Sequence, residues 1–188
     1  IVAHKRQLLD RDDFAFQRCF MDFPFEVPDS NFRKTKSTMT GDEGIFSTTA
    51  EGLAKLKPVL ENGSVTYGGQ THPADGSSAV VLTTADKLSE LSKQPKIGIR
   101  VVAFGQARVE PAYMPAAPVP AAQRVLNSAG LKMSQMTAVK THNPFVLNDL
   151  CLAQAFDMDA NAFNNYGSSL VWGHPQGPTG LRGVIELI

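Results

Sequence analysis

The sequence predicts an α/β fold, on three observations. Short, β-branched apolar runs of strand length occur at residues 79–82, 97–104 and 136–140. Between and after them stand segments with apolar residues at helical spacing, at 85–92, 119–129 and 146–156. A chain of 188 residues with 43% hydrophobic and 19% charged residues is long enough for one sizeable core, and a second complete core does not fit the length.

Taken in order, residues 1–44 mix charge (Asp10, Arg11, Asp12, Asp13), aromatics (Phe14, Phe16, Phe20, Phe23, Phe25, Phe32) and prolines (Pro24, Pro28) without a sustained period. A short helix and then an irregular lobe are expected, with the polar run 34–41 (KTKSTMTG) as a solvated loop. Residues 48–60 start Thr-rich, place Leu53 and Leu56 three apart and stop at Pro58, which suits one or two helical turns. Gly63, Gly68, Gly69 and Gly76 bracket a turn-rich stretch before the apolar strand 79–82 and a connecting helix over 85–92. Ile97, Ile99, Val101 and Ala103 alternate with Gly98, Arg100, Val102 and Phe104 as in a half-buried strand. Pro115, Pro118 and Pro120 stiffen the entry to a helix carrying Val119, Ala122, Leu126 and Ala129, which Gly130 can end in left-handed geometry. A strand over 136–140, a helix through Val146, Leu150 and Ala153 to Phe156, a turn at 157–161 and a strand over 168–172 follow. Thr179 can cap a last helix with Leu181, Val184, Ile185 and Ile188 on one face. No cap follows Ile188, so the sequence reads as cut at both ends.

Several function classes recede on composition. Lys+Arg 18 against Asp+Glu 18 gives a net charge of +0, which removes the global electrostatic argument for a nucleic-acid or anionic-membrane partner. No apolar run approaches the roughly 18 residues that span a bilayer, and residues 1–10 hold no secretory signal. Cys19 and Cys151 lack CxxC spacing and fit a reducing compartment, with the cytoplasm as default. His4, His72, His142 and His174 form no i, i+4 pair and have no cysteine couple beside them, so no metal site is expected. There is no phosphate-cradling G-x-x-x-x-G-K-[ST] loop and no serine nucleophile elbow.

The most specific string runs from Asn164, Asn165, Tyr166, Gly167 to Gly173, His174, Pro175, Gln176, Gly177, Pro178, Thr179, Gly180. Glycine and proline clusters make ordinary turns, and a lone histidine among them is commonly structural. As a whole, however, N-N-Y-G-S-S-L-V-W-G-H-P-Q-G-P-T-G resembles the thiolase superfamily signature N-x-x-G-G-x-x-x-x-G-H-P-x-G-x-[ST]-G, departing at Ser168 where a second glycine is usual. The resemblance puts His174 at the foot of a pantetheine tunnel. A second string, Thr141, His142, Asn143, Pro144, Phe145, Val146, Leu147, Asn148, Asp149, stands where thiolases commonly show N-E-A-F. Aligned on Phe145, His142 replaces the family asparagine, and H-x-x-F-x-x-N-[DE] is similar to the sterol-carrier-type thiolases. A neutral imidazole and an amide can both donate to a thioester oxygen as its charge develops. Asn148 and Asp149 are expected to hold this loop from the first turn of the helix.

Residues 53–59 (LAKLKPV) and 62–82 also resemble thiolase segments, with Asp75 and Gly76 in place. Gln70, Thr71, His72 and Pro73 replace the family's A-S-G-[IL], where a serine meets coenzyme A; Thr71 keeps a hydroxyl and His72 adds a ring. The stretch 105–122 resembles G-x-x-P-x-x-M-x-x-x-P-x-x-A, which makes Met114 a wall of the acyl pocket, or else core packing. D-D-F-A-F-Q-R-C, ending at Cys19, is loosely similar to a family helix, and Cys19 does not stand at a nucleophile position. Cys151, between Leu150 and Leu152, reads as a buried inert thiol.

The resemblance implies a thiolase-like layered αβαβα fold. Residues 1–66 would be the remnant of a CoA-facing loop lobe, 67–94 the last strand region of the N-terminal half, and 95–188 an incomplete C-terminal half. It implies acyl transfer between CoA thioesters, either thiolytic cleavage of a 3-oxoacyl-CoA or Claisen condensation. His174 would deprotonate or pair with a cysteine supplied from outside this chain, and His142 would complete an oxyanion hole. Thr71, His72, Met114 and Phe145 would line the substrate path. Coenzyme A is expected as substrate, with no resident cofactor, and the assembly as a homo-oligomer or with a chain carrying the N-terminal half. Two alternatives stay open: a ketosynthase-like condensing enzyme, whose second motif usually reads H-G-T-G-T, and a non-catalytic acyl-CoA-binding or scaffold subunit.

Overall fold

The structure is a computed structural model that describes residues 24–41, 44–94 and 96–188. The expected first helix and Cys19 lie outside the described residues. The polar run expected as a loop instead supplies a strand: β1 (Phe25–Pro28) pairs antiparallel with β2 (Thr35–Met39), Phe25 opposite Met39 and Val27 opposite Ser37. Asp29 ties the connecting loop by accepting from the amides of Asn31 (3.1 Å) and Arg33 (2.9 Å). The Arg33 amide leads the contacts that hold its carboxyl below the usual value. Both faces of β2 are polar, so no hydrophobic alternation announces it.

The helices follow local signals. Helix α1 (Ala50–Ala54) starts at Thr49, whose hydroxyl accepts from the Gly52 amide at 3.1 Å, and α2 (Ala85–Leu91) carries Asp86 in its first turn. Helix α3 (Pro118–Ala129) opens on proline and closes at Gly130, φ 67°, with the Leu131 amide reaching back to the Leu126 carbonyl at 2.9 Å. Helix α4 (Val146–Phe156) ends at Asp157, also left-handed at φ 51°. Its buried side is split by position: Asn148 and Asp149 near the start face the site, and Leu152 and Ala153 join Phe163 in the core. Val119 and Ala122 of α3, with Met133, Val139, Phe156 and Met158, pack around that core. Polar and apolar faces of one helix thus anchor the site directly to the packed interior.

Four expected strands are corrected. Residues 168–172 form a helical turn, α5 (Ser169–Trp172), between Ser168 in extended geometry and Gly173 at φ 87°. Residues 79–82, 97–104 and 136–140 are not in ladders among the described residues. A strand is made by its neighbour, and without one its polar backbone and apolar face stay uncovered: Val81 is 78% exposed and Phe104 90%. The last helix, α6 (Thr179–Ile185), follows Pro178, and Thr179 is its first residue. No helix among the described residues is long and apolar enough to cross a membrane.

Candidate active site

Three segments from distant parts of the sequence meet at the site. The extended residues 70–73 lie between two loops, bridged antiparallel from Gln70 to Phe145 and parallel from Pro73 to His174. The Thr71 amide donates to the Pro144 carbonyl and the His174 amide to the His72 carbonyl, both at 2.8 Å. One short segment therefore clamps the His142 loop and the His174 loop together, and the two imidazoles come to 4.4 Å between ring centres, tilted by 41°.

Each ring is held from behind. His142 Nδ1 is 3.1 Å from the hydroxyl of Ser169, a fully buried residue at the start of α5. His174 Nδ1 is 2.8 Å from Thr179 Oγ1 and accepts from the Gln176 amide at 3.2 Å. The His142 pKa is lowered, first by partial burial and second by the neighbouring His174, so at neutral pH the ring is uncharged and carries one proton it can donate. That is the state an oxyanion donor needs.

The loop bearing His142 is fixed by a buried carboxylate. Asp149 accepts from the Thr141 hydroxyl (2.5 Å), Asn143 Nδ2 (2.6 Å) and Asn164 Nδ2 (3.3 Å), while Asn164 Oδ1 accepts from the Thr141 amide at 2.9 Å. Burial raises the Asp149 pKa against the three hydrogen bonds, which act to lower it. Asn148 Oδ1 accepts from the Phe145 amide at 3.2 Å, and Asn148 Nδ2 donates to the Pro115 carbonyl at 3.4 Å, which joins the Met114 turn to this loop. Asn148 and Asp149 thus sit as the sequence suggests, in the first turn.

The remaining candidates divide. Thr71 and His72 lie on the clamping segment, but the Thr71 hydroxyl donates to the Ser169 carbonyl at 2.5 Å, so its proton is already used. His72 Nε2 is buried without a partner against the Gly44 and Gly173 backbones, with Phe46 edge-on at 6.2 Å. Phe145 is part-buried and precedes α4, and Met114 is 49% exposed on a 3-10 turn whose thioether lies 4.0 Å from Asn148 Nδ2.

A cavity of about 110 Å³ opens beside His142, walled in part by Thr141, Ser168, Trp172 and Thr179. Ser168 Oγ and Trp172 Nε1 are buried there without hydrogen-bond partners. Lys140 and Glu186, 4% and 2% exposed, form an ion pair in the same wall. Arg182 also pairs with Glu186 (2.9 Å) and stacks on Trp172 at 3.8 Å. Sequence reasoning did not find the contacts of Ser169 and Asn164 or the Lys140–Glu186 pair, whose partners are far apart in the chain; Thr179 was visible as the hydroxyl position of the signature and as a helix cap, and in the structure its hydroxyl meets His174 instead. Among the described residues no group of three or more His, Cys, Asp and Glu side chains gathers to hold a metal ion.

Comparison with known proteins bears on the family and the fold. The thiolase C-terminal domain matches residues 95–188 and the thiolase N-terminal domain residues 15–86. An acetyl-CoA acetyltransferase of Pseudomonas aeruginosa is 33% identical over 150 residues, covering 79% of this chain and 38% of its own length. The crystal structure of the Bacillus anthracis acetyl-CoA acetyltransferase superposes with a TM-score of 0.83 at 28% identity, covering 98% of this chain and 46% of that one. Human mitochondrial 3-ketoacyl-CoA thiolase in complex with CoA gives a TM-score of 0.79 at 30% identity, covering 98% of this chain and 45% of that one. The chain spans less than half the length of each of these proteins. The α/β fold is therefore of the thiolase type.

Proposed function

The chain belongs to the thiolase family, and from that premise we infer that the protein carrying it transfers acyl groups between coenzyme A thioesters, cleaving a 3-oxoacyl-CoA or condensing two acyl-CoAs. The observation that carries this reading is the pair of imidazoles 4.4 Å apart at one site, each with Nδ1 engaged from behind. Two ring nitrogens remain to meet a substrate oxygen or a sulfur. His142, kept neutral, donates to the thioester oxygen as negative charge builds on it; His174 pairs with the cysteine nucleophile or takes its proton. Thr71, His72, Met114 and Phe145 border the path of the pantetheine and acyl groups.

Coenzyme A enters as substrate rather than as a resident cofactor. The nucleophilic cysteine comes from residues outside this chain, in a homo-oligomer or from a chain with the N-terminal half, and the compartment is the cytoplasm. On this reading residues 1–66 belong to the CoA-facing lobe, 67–94 to the end of the first half and 95–188 to the second. A second reading, a non-catalytic acyl-CoA-binding subunit, rests on the sequence, in which neither Cys19 nor Cys151 stands at a nucleophile position.

The test is thiolysis of acetoacetyl-CoA by the protein that contains this chain, beside iodoacetamide inactivation of its nucleophile. His174→Ala should slow both, because the ring stabilises the thiolate. His142→Ala should spare alkylation and lower turnover by roughly 10² to 10³, with His142→Asn recovering part. CoA binding without turnover in the wild type would instead establish the binding subunit, and loss of alkylation in His142→Ala would reverse the two roles.

A further inference from the structure

We propose that Ser169 is a positioning residue that acts through His142: its buried hydroxyl donates to His142 Nδ1, which places the single proton of that ring on Nε2, facing the substrate. This role deepens the acyl-transfer reading and rests on it only for the identity of what Nε2 meets.

Ser169 is fully buried, and among the described residues its hydroxyl has one hydrogen-bond partner, His142 Nδ1 at 3.1 Å. A hydroxyl can donate or accept, so two arrangements fit that distance. Were Nδ1 to carry the ring proton and donate, the hydroxyl hydrogen of Ser169 would stay in the interior with no acceptor and no water, at the full cost of its desolvation. With the hydroxyl donating, both groups are satisfied, and the neutral ring bears its proton on Nε2. Burial, and second to it the neighbouring His174, keep the ring neutral at pH 7, as this arrangement requires. Ser169 is in turn fixed through its carbonyl, which accepts from the Thr71 hydroxyl at 2.5 Å and the Gly173 amide at 3.0 Å. Thr71 stands on the segment that bridges the two histidine loops, so the clamp reaches His142 through side chains as well as through backbone. The string from Asn164 to Gly180 leaves the place of Ser169 open to any residue, which is why it carried no mark in the sequence.

Ser169 touches no substrate in this role. Nε2–H of His142 donates a hydrogen bond to the thioester oxygen and keeps its proton throughout, so no proton changes hands at Ser169 or at His142. The side chain at residue 142 decides whether Ser169 matters. An asparagine amide presents N–H groups whatever lies behind it, whereas a neutral imidazole presents one at Nε2 only while Nδ1 accepts.

The test joins a spectrum to a double-mutant cycle. Long-range ¹H–¹⁵N correlation spectra are recorded on the ¹⁵N-histidine-labelled protein that contains this chain, above the pH at which His142 titrates, with His142 assigned by the signals that vanish in His142→Asn. The wild type should show Nδ1 of His142 unprotonated and Nε2 protonated, and in Ser169→Ala the two signals should move toward each other as the tautomers mix. In thiolysis of acetoacetyl-CoA, Ser169→Ala should lower kcat roughly 3- to 10-fold with KM unchanged, the worth of one neutral hydrogen bond. Made on top of His142→Asn, the same replacement should lower kcat less than about 2-fold, because no imidazole is left for the hydroxyl to set. A wild-type spectrum with Nδ1 protonated overturns the proposal whether or not any variant folds. An equal loss of kcat in both backgrounds also overturns it, since Ser169 would then act by packing alone. Absence of thiolysis in the wild type would overturn the acyl-transfer reading and leave the spectra to decide the role of Ser169.

Discussion

Replacing Asp149 tests whether one buried carboxylate organises the His142 loop. Its oxygens accept from Thr141 Oγ1 at 2.5 Å, Asn143 Nδ2 at 2.6 Å and Asn164 Nδ2 at 3.3 Å. In Asp149→Ala the Asn164 amide keeps Thr141 Oγ1 at 2.8 Å, but Asn143, 1% exposed, loses its acceptor and the Thr141 hydroxyl loses its own. Two buried donors without partners cost about 1–3 kcal/mol each. Some of that is offset because the carboxylate itself is held in an environment that disfavours its charge, as its raised pKa shows. A net loss of about 2–4 kcal/mol is expected. Asp149→Asn keeps one acceptor and should cost about half as much. Urea unfolding is the assay, read by the fluorescence of Trp172, the single tryptophan. A pH series adds a sign. Because the folded pKa lies above 3.8, the folded chain binds more protons between the two values, so this group's contribution is greatest below 3.8 and falls as the pH rises through the folded pKa. Asp149→Asn lacks that fall, so its deficit against the wild type should shrink as pH rises across the window. An Asp149→Ala chain within about 1 kcal/mol of the wild type, or an Asp149→Asn deficit that grows with pH, would refute the reasoning.

Gly173→Ala should lose about 2–4 kcal/mol in the same urea assay, since φ is 87° and the new Cβ would stand 2.7 Å from Ala74 Cβ and 3.0 Å from His72 Nε2; an unchanged midpoint would mean the clamp over His174 is loose. Glu186→Gln should cost about 3–5 kcal/mol by leaving the Lys140 ammonium buried without its carboxylate, whereas Lys140→Met with Glu186→Leu should recover most of that; a double variant no better than the single would show that the ion pair is not the reason.

What the sequence determined by itself is local. Helices α1 to α4 were readable because their signals lie within a few residues: a Thr-rich start before α1, prolines at the entry to α3, Gly130 at its exit, and apolar spacing through α4. His142 and His174 were readable because each sits in a contiguous string whose residue types already suit an imidazole at a thioester. Residues 168–172 were misread because S-S-L-V-W has the apolar, β-branched look of a strand, while its helical turn is imposed from outside by Ser168 in extended geometry and Gly173 at φ 87°. Residues 79–82, 97–104 and 136–140 have strand composition, yet composition cannot supply a neighbouring strand, and a ladder exists only where one lies alongside. The β1–β2 hairpin shows the converse, a ladder whose second strand, TKSTM, carries no hydrophobic alternation. Only the tertiary structure decided that the two histidines meet. Their approach depends on residues 70–73 bridging both loops through backbone groups, and on Ser169, Thr179, Asn164 and Asp149 arriving from elsewhere in the chain. Backbone hydrogen bonds between distant segments leave no mark on side-chain pattern, so the strings name the candidate groups while packing sets the distance between them and the hydroxyls behind them.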